Sequence, residues 1–268
     1  MSVLRSGSGF ANAAAKDEKD YAMMGLDFTG WAVVALCAVM VGISKTGIPG
    51  MGILFVPLMA MVLPARQSTG VVLGILILAD VFAVIYYHKA ALWGHIIRLV
   101  PATLVGITAG YFVMKVISDS QLKPTIGVIV LAMLAVNWWR TRKGDADAPI
   151  PTQWWFAAVI GFLAGLTTMM ANAAGPVMIV YLLAMRLPKT EFVGTSAWFF
   201  FIVNWLKVPF SVRLGLITAE SIKLNLIMLP FIAAGSVLGI FILRRMPQRV
   251  FEVSVQLLAA AAAIKLLF

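Results

Sequence analysis

Long apolar runs set the limits on what this chain can become. They fall at about 30–64, 68–88, 96–117, 122–139, 154–188, 191–212, 222–243 and 249–267. Several approach the roughly 20 residues that carry a helix across a bilayer. Backbone polar groups in lipid are satisfied only in helices or closed barrels, and the runs lack the period-2 alternation of barrel strands. Of 268 residues, 62% are hydrophobic and 12% charged, about half the charged fraction of a soluble domain. The expected fold is an all-α polytopic membrane protein.

The formal net charge is +10. In a soluble protein that would point to nucleic acid. Here the basic residues sit mostly in short loops between apolar runs, notably at Arg140, Arg142 and Lys143 and at Arg244 and Arg245. That pattern is topological, because lysine and arginine stay on the cytoplasmic side, and nucleic acid is not an expected partner. Trp93, Trp138, Trp139, Trp154 and Trp155 stand at the ends of runs, where indole prefers the headgroup level. The single cysteine, Cys37, lies inside an apolar run and excludes a disulfide framework within the chain. Residues 1–28 are polar and mixed in charge, without the apolar core of a secretory signal, and are expected to form a flexible, retained tail.

Two runs, 30–64 and 154–188, are too long for one crossing and too short for two complete ones. A straight helix of that length would extend about 50 Å against a hydrocarbon core of about 30 Å. Each holds a central stretch of small, helix-breaking residues. The first is Gly42 to Gly52, including Ser44, Lys45, Thr46, Gly47, Pro49 and Gly50; the second is Gly165 to Pro176, including Thr167, Thr168, Asn172 and Gly175. Each run reads as two half-helices meeting at a break, either a re-entrant hairpin or a sharply unwound span.

The two halves match beyond the breaks. Leu63-Pro64 with Gly70 pairs with Leu187-Pro188 and Gly194 at a constant offset of 124, which also brings Asp80 onto Asn204 and Lys89 onto Arg213. Pro101, Gly106, Gly110 and Lys115 pair with Pro230, Gly235, Gly239 and Arg244 at an offset of 129. The expected organisation is a tail (1–28), a first transmembrane repeat (29–140), a linker (141–151) and a second repeat (152–268), each repeat a broken helix pair plus three spans. If the broken element is a hairpin, each repeat crosses an odd number of times and the second copy is inverted, as in many secondary transporters; if it crosses once, the copies are parallel, and the inverted arrangement is the expected one. Lysines and arginines in the loops divide ten to six, with Lys89, Arg98, Arg186, Lys189, Arg244 and Arg249 on the richer side. The positive-inside rule makes that side cytoplasmic.

The breaks carry the functional signal. A helix interrupted at membrane depth exposes N–H groups at the start of its second half, and these attract negative charge. Paired Gly/Pro interruptions in matching positions point to a transport site, although such residues also serve close helix packing. Ser44, Lys45, Thr46, Gly47, Gly50, Thr167, Thr168, Asn172, Gly175 and Asn204 form the expected anion-binding set. Lys45 either ligates the anion, snorkels toward an interface or pairs with Asp80, since a mid-membrane lysine needs a partner or a wet setting. Asp80 and Lys207 are expected to act as a coupling site or a structural ion pair. The Gly106/Gly110 and Gly235/Gly239 motifs read as packing devices. Pro49, Pro57, Pro176 and Pro209 read as kinks or half-helix starts, and Trp198 to Phe201 as a lipid-facing or packing surface. His88 and His95, without a carboxylate or cysteine cluster, do not make a metal site, and no cofactor is expected. No nucleophile triad, nucleotide loop or paired glycosidase carboxylates is present, which disfavours an enzyme; Asp80 is the lone buried acid, which disfavours a cation transporter.

At these residues the chain resembles the TauE/SafE family of sulfite and organosulfur-anion exporters. The resemblance covers nearly all of 30–267. It rests on the repeated break, Pro57 and the Leu-Pro turn, the Gly194-Thr195-Ser196 lead-in, and the proline–glycine spans at 101–110 and 230–239. The glycine triplet associated with the breaks is replaced by Gly47-Ile48-Pro49-Gly50 and by Asn172-Ala173-Ala174-Gly175-Pro176. The resemblance implies a multi-pass transporter of the cytoplasmic (inner) membrane that exports sulfite, sulfoacetate or a related small anion. Its expected partners are that anion and the lipid bilayer, with a homodimer as an open option.

Overall fold

In the computed structural model, residues 25–50, 55, 58–59, 61–116 and 153–267 are described. The tail up to residue 24, the run 122–139, the linker 141–151, Met51, Gly52 and Pro57 lie outside the described residues. The regular structure among the described residues is helical. Its helices are α1 (Phe28–Thr46), α2 (Ala65–Tyr87), α3 (Trp93–Val116), α4 (Trp154–Ala171), α5 (Ala174–Ala184), α6 (Lys189–Arg213), α7 (Ala219–Ile227), α8 (Leu229–Arg245) and α9 (Gln248–Leu267). By length and composition, among the described residues α1, α2 from Gln67 to Tyr87, and α3 can each cross a membrane, and α7 with α8 forms an apolar pair bent by 50°, either a broken span or a re-entrant loop. The stretch 222–243 is thus not the single straight span expected from its hydropathy. Its bend falls at Met228, two residues before Pro230 in the first turn of α8, where a missing N–H costs no helical hydrogen bond.

The helices run further into both breaks than the glycine pattern suggests. Gly42, Ser44, Lys45 and Thr46 belong to α1, which ends only at Gly47. Gly165, Thr167 and Thr168 belong to α4, and the second interruption is confined to Asn172 and Ala173. Gly42, Gly165 and their neighbours do not break the helix because another backbone lies against them. A Cβ on Gly42 would stand 2.5 Å from the Ile232 carbonyl oxygen, and one on Gly165 would stand 2.1 Å from that of Thr103. Propensity against glycine is worth only about 1 kcal/mol per residue, and close helix contact in lipid outweighs it. The actual turns use left-handed residues: Asn172 has φ 53° and Gly50 has φ 105°. Asn172 tolerates this conformation better than most side chains.

The same close contacts set the helix pairing. α1 packs lengthwise on α8, and α3 on α4. Gly235 and Gly239 press against Val39 and Thr46 of α1, while Gly106 and Gly110 press against Phe162 and Met169 of α4. The packing role expected of both small-residue motifs is therefore the one they play. Two apolar cores result. One gathers Val34, Cys37, Val71, Ile75, Leu224 and Ile232 from α1, α2, α7 and α8. The other gathers Leu99, Ile160, Tyr181, Phe199 and Phe251 from α3, α4, α5, α6 and α9. α2 and α6 meet where the two cores adjoin. Facing outward, Ile97, Val105 and Phe112 on α3 and Val237 and Phe241 on α8 are each more than half exposed. An apolar surface of that kind is the side a bilayer covers.

Candidate functional site

At the α2–α6 seam the apolar packing is interrupted by a cluster of buried polar side chains. Asp80 on α2 is completely buried, and Asn204 and Lys207 on α6 are nearly so. The Asn204 amide nitrogen donates to Asp80 Oδ2 at 2.7 Å. Lys45, one residue before the end of α1, places its ammonium 2.7 Å from Asp80 Oδ1. That contact is an ion pair by distance rather than a well-aligned hydrogen bond, and Oδ1 accepts no other donor among the described residues. The ring of Phe200 covers the same ammonium, 4.2 Å from its centroid. Of the two ion pairs open to Asp80 from the sequence, the one with Lys45 forms.

Lys207 does something else. One turn beyond Asn204 on the same helix, its ammonium donates to Asn172 Oδ1 at 2.5 Å and to Thr168 Oγ1 at 3.2 Å. Asn172 in turn donates to the Thr69 carbonyl at 3.3 Å, so the residue at the second break ties α6 to the start of α2. Lys207 ranks among the largest fully buried side chains of the protein, and its hydrogen-bond partners among the described residues are neutral oxygens. The cluster thus contains two ammonium groups, Lys45 and Lys207, and one carboxylate, Asp80. Taking an ion out of water costs several kcal/mol unless opposite charge and hydrogen bonds compensate it, and in a membrane a charged side chain of this kind marks a functional position.

The remaining expected ligands divide by what already holds them. Thr46 is buried and donates to the carbonyls of Gly42, at 3.0 Å, and Ser236, at 2.7 Å, clamping α1 to α8. Thr167 donates back to Leu163 within α4 at 2.7 Å. Both hydroxyl protons are spent on backbone, a habit of threonine in apolar helices. Gly47 lies against the Gly239 backbone, where a Cβ would come within 2.6 Å of the carbonyl oxygen. Gly50 forms the turn after α1, and Ser44 is half-buried on that helix. Gly175, in the first turn of α5, has open space where a Cβ would stand. The start of α5, with Pro176 in its first turn, directly follows Asn172. The structure therefore brings Lys45, Asp80, Asn204, Lys207, Thr168 and Asn172 into one cluster with the α5 N-terminus beside it. It assigns Thr46, Thr167 and Gly47 to helix packing.

Two contributors escaped the sequence reading. Phe200 looked like part of a lipid-facing aromatic stretch but lies over Lys45, and Thr69 supplies a backbone acceptor that no side-chain pattern announces. His95, expected only near an interface, shares a 2.8 Å hydrogen bond with the Tyr181 hydroxyl across α3 and α5. Among the described residues no three His, Cys, Asp or Glu side chains are grouped so as to hold a metal ion.

No curated protein and no solved structure matches the chain. Residues 34–266 match the family described as sulfite exporter TauE/SafE. An apolar helical chain with charged groups buried at a helix crossing, matched over nearly its whole length, belongs to the TauE/SafE family of multi-pass membrane transporters.

Proposed function

We propose that the protein exports a small sulfur oxyanion, such as sulfite or sulfoacetate, across the cytoplasmic membrane by alternating access, and that the anion binds at the α2–α6 seam. The observation that carries this reading is the excess of cationic over anionic side chains there: Lys45 and Lys207 against Asp80. Asp80 engages Lys45, so among the described residues Lys207 is the cluster's cation with no carboxylate at ion-pair distance, and an incoming oxyanion supplies the missing negative charge. The first N–H groups of α5 add positive potential on the same side. An inside-negative potential favours exit of a monoanion by about 2.3 kcal/mol per 100 mV. Uniport is thus sufficient, with proton coupling through Asp80 as a second mode.

Alternating access rests on the duplicated organisation, with two modules of opposite orientation. Three features support it. The repeat mates Asp80 and Asn204, 124 residues apart, touch each other, as mates do only near a symmetry axis. The Leu-Pro turns start α2 and α6 with nearly equal dihedrals, φ −52° and ψ 141° at Pro64 against φ −55° and ψ 147° at Pro188. Gly70 packs on Leu216, and its mate Gly194 packs on Ala90, each glycine against the loop that follows the other long helix. The modules then exchange their third elements, α1 taking α8 and α4 taking α3.

The test is efflux of sulfite, sulfoacetate, sulfate and chloride from proteoliposomes holding wild type or Lys207→Met. Sulfite or sulfoacetate efflux is expected in the wild type. In the variant it should fall at least about 100-fold (~2.7 kcal/mol). The variant also leaves the Asn172 and Thr168 oxygens without their donor, so its efflux is read only from protein whose melting temperature and α-helical circular dichroism show that it is folded. Absence of efflux of any of these anions from folded wild type would refute the reading.

A further inference from the structure

A second basic site lies toward one end of the molecule, away from the seam. A cavity of about 600 Å³ is lined by Tyr86, Tyr87, Lys89, Ala90, Lys189, Thr190, Leu243 and Arg244. These residues come from the C-terminal end of α2 and its following loop, the start of α6 and the end of α8. The sequence spacing put Lys89, Lys189 and Arg244 on one membrane side; the structure gathers them around one opening. Its rim (Tyr86, Lys89, Thr190, Arg244) is exposed and its floor (Tyr87, Leu243) buried.

The three cations are differently committed. The Lys189 ammonium donates to the carbonyls of Leu243, at 2.8 Å, and Met246, completing the end of α8 where a cation is favoured. The Arg244 guanidinium stands over the Tyr86 ring at 5.3 Å. That contact fixes its position, and no hydrogen bond or ion pair to a described residue occupies its N–H fork, which suits an oxyanion. Lys89 makes no ion pair among the described residues. Glu191, in the first turn of α6, is the nearest acid along that helix. The floor connects to the transport cluster, for the Tyr87 hydroxyl donates to the Thr46 carbonyl at 2.8 Å, and Thr46 follows Lys45. Asp80 and Tyr87 are seven residues apart on α2, about 10 Å along the axis. The loop that carries Lys89 is pinned to α6 by the Leu92 amide, which donates to Thr195 Oγ1 at 3.0 Å.

We propose that this cavity is a second oxyanion site, an antechamber in which Lys89 and Arg244 capture the substrate at the cytoplasmic face before it passes to the seam. The inference rests on the transport reading above. A basic concave mouth raises local anion concentration and the capture rate, and does so less as ionic strength rises. The same groups would also suit the phosphate of an anionic lipid headgroup, and the experiment separates the two sources.

Initial sulfite efflux is measured against luminal concentration in proteoliposomes of pure phosphatidylcholine, and again with phosphatidylglycerol added. Wild type, Lys89→Gln, the double variant Lys89→Gln/Arg244→Gln and the charge-preserving Lys89→Arg/Arg244→Lys are compared. In pure phosphatidylcholine at low salt the double variant should raise KM about three- to tenfold with kcat within about twofold. Its KM should also lose most of the salt dependence of the wild type. Lys89→Gln alone should show part of the effect, and the charge-preserving pair little of it. An unchanged KM and salt dependence in both neutralised variants would overturn the antechamber and leave the transport reading intact. A difference seen only with phosphatidylglycerol would overturn it in favour of a lipid site. No efflux from wild type would remove both.

Discussion

Lys45 and Lys207 are both buried within one cluster, yet they live differently. Lys45 has a carboxylate at 2.7 Å and an aromatic face over it. Lys207 has two neutral oxygens, one from a threonine and one from the asparagine that ends α4. A lysine beside an aspartate is balanced without a ligand. A lysine held by amide and hydroxyl dipoles keeps its charge available to whatever anion arrives. On the proposed reading, the contrast gives Lys45–Asp80 an architectural part and Lys207 the part of recognising the anion.

Removing the carboxylate breaks the contrast most severely. Asp80→Ala leaves Lys45 as uncompensated as Lys207 and should lower stability by about 3–5 kcal/mol, read as a fall in melting temperature in detergent. Lys45→Met in that background should recover much of the loss, because the stranded charge goes with it. A single Asp80→Ala variant as stable as wild type would mean the pair is not architectural. Asn172→Gly probes the other lysine. Glycine keeps the left-handed turn without strain while deleting the amide that holds Lys207, a charge-assisted bond worth about 1.5–3 kcal/mol. Efflux should fall roughly tenfold or more, with α-helical circular dichroism unchanged. Full activity would show that Lys207 does not need this tether. The smallest effect on transport is expected from Phe200→Leu, which removes the ring over Lys45 but leaves its aspartate in place and should leave sulfite KM within about twofold. A larger rise in KM would move Lys45 from architecture to recognition.

The membrane class, the Leu-Pro turns and the packing glycines were legible because each depends on local composition. So was the need of Lys45, Asp80, Asn204 and Lys207 for polar partners, since a polar group in an apolar run has few innocent explanations. What partners they take was not legible, because it depends on how α2 crosses α6. The breaks were misjudged for a similar reason. Gly42 and Gly165 look like helix breakers alone and become helix contacts once another backbone fills the space where a Cβ would be. Thr46 and Thr167 looked like donors aimed at a ligand, but nearby carbonyls claimed their protons. A sequence shows which groups lipid will not leave unsatisfied, and only the packing shows what satisfies them.

Asn172 joins two duties in one side chain. Its backbone turns the chain between α4 and α5, and its amide grips Lys207 on α6 and the start of α2 at once. If the anion binds as proposed, its pull on the Lys207 ammonium would slacken that grip at the very residue about which the two half-helices are joined. Cargo recognition and release of a mechanical joint then become a single displacement, and an empty carrier stays latched for want of the charge that would unfasten it.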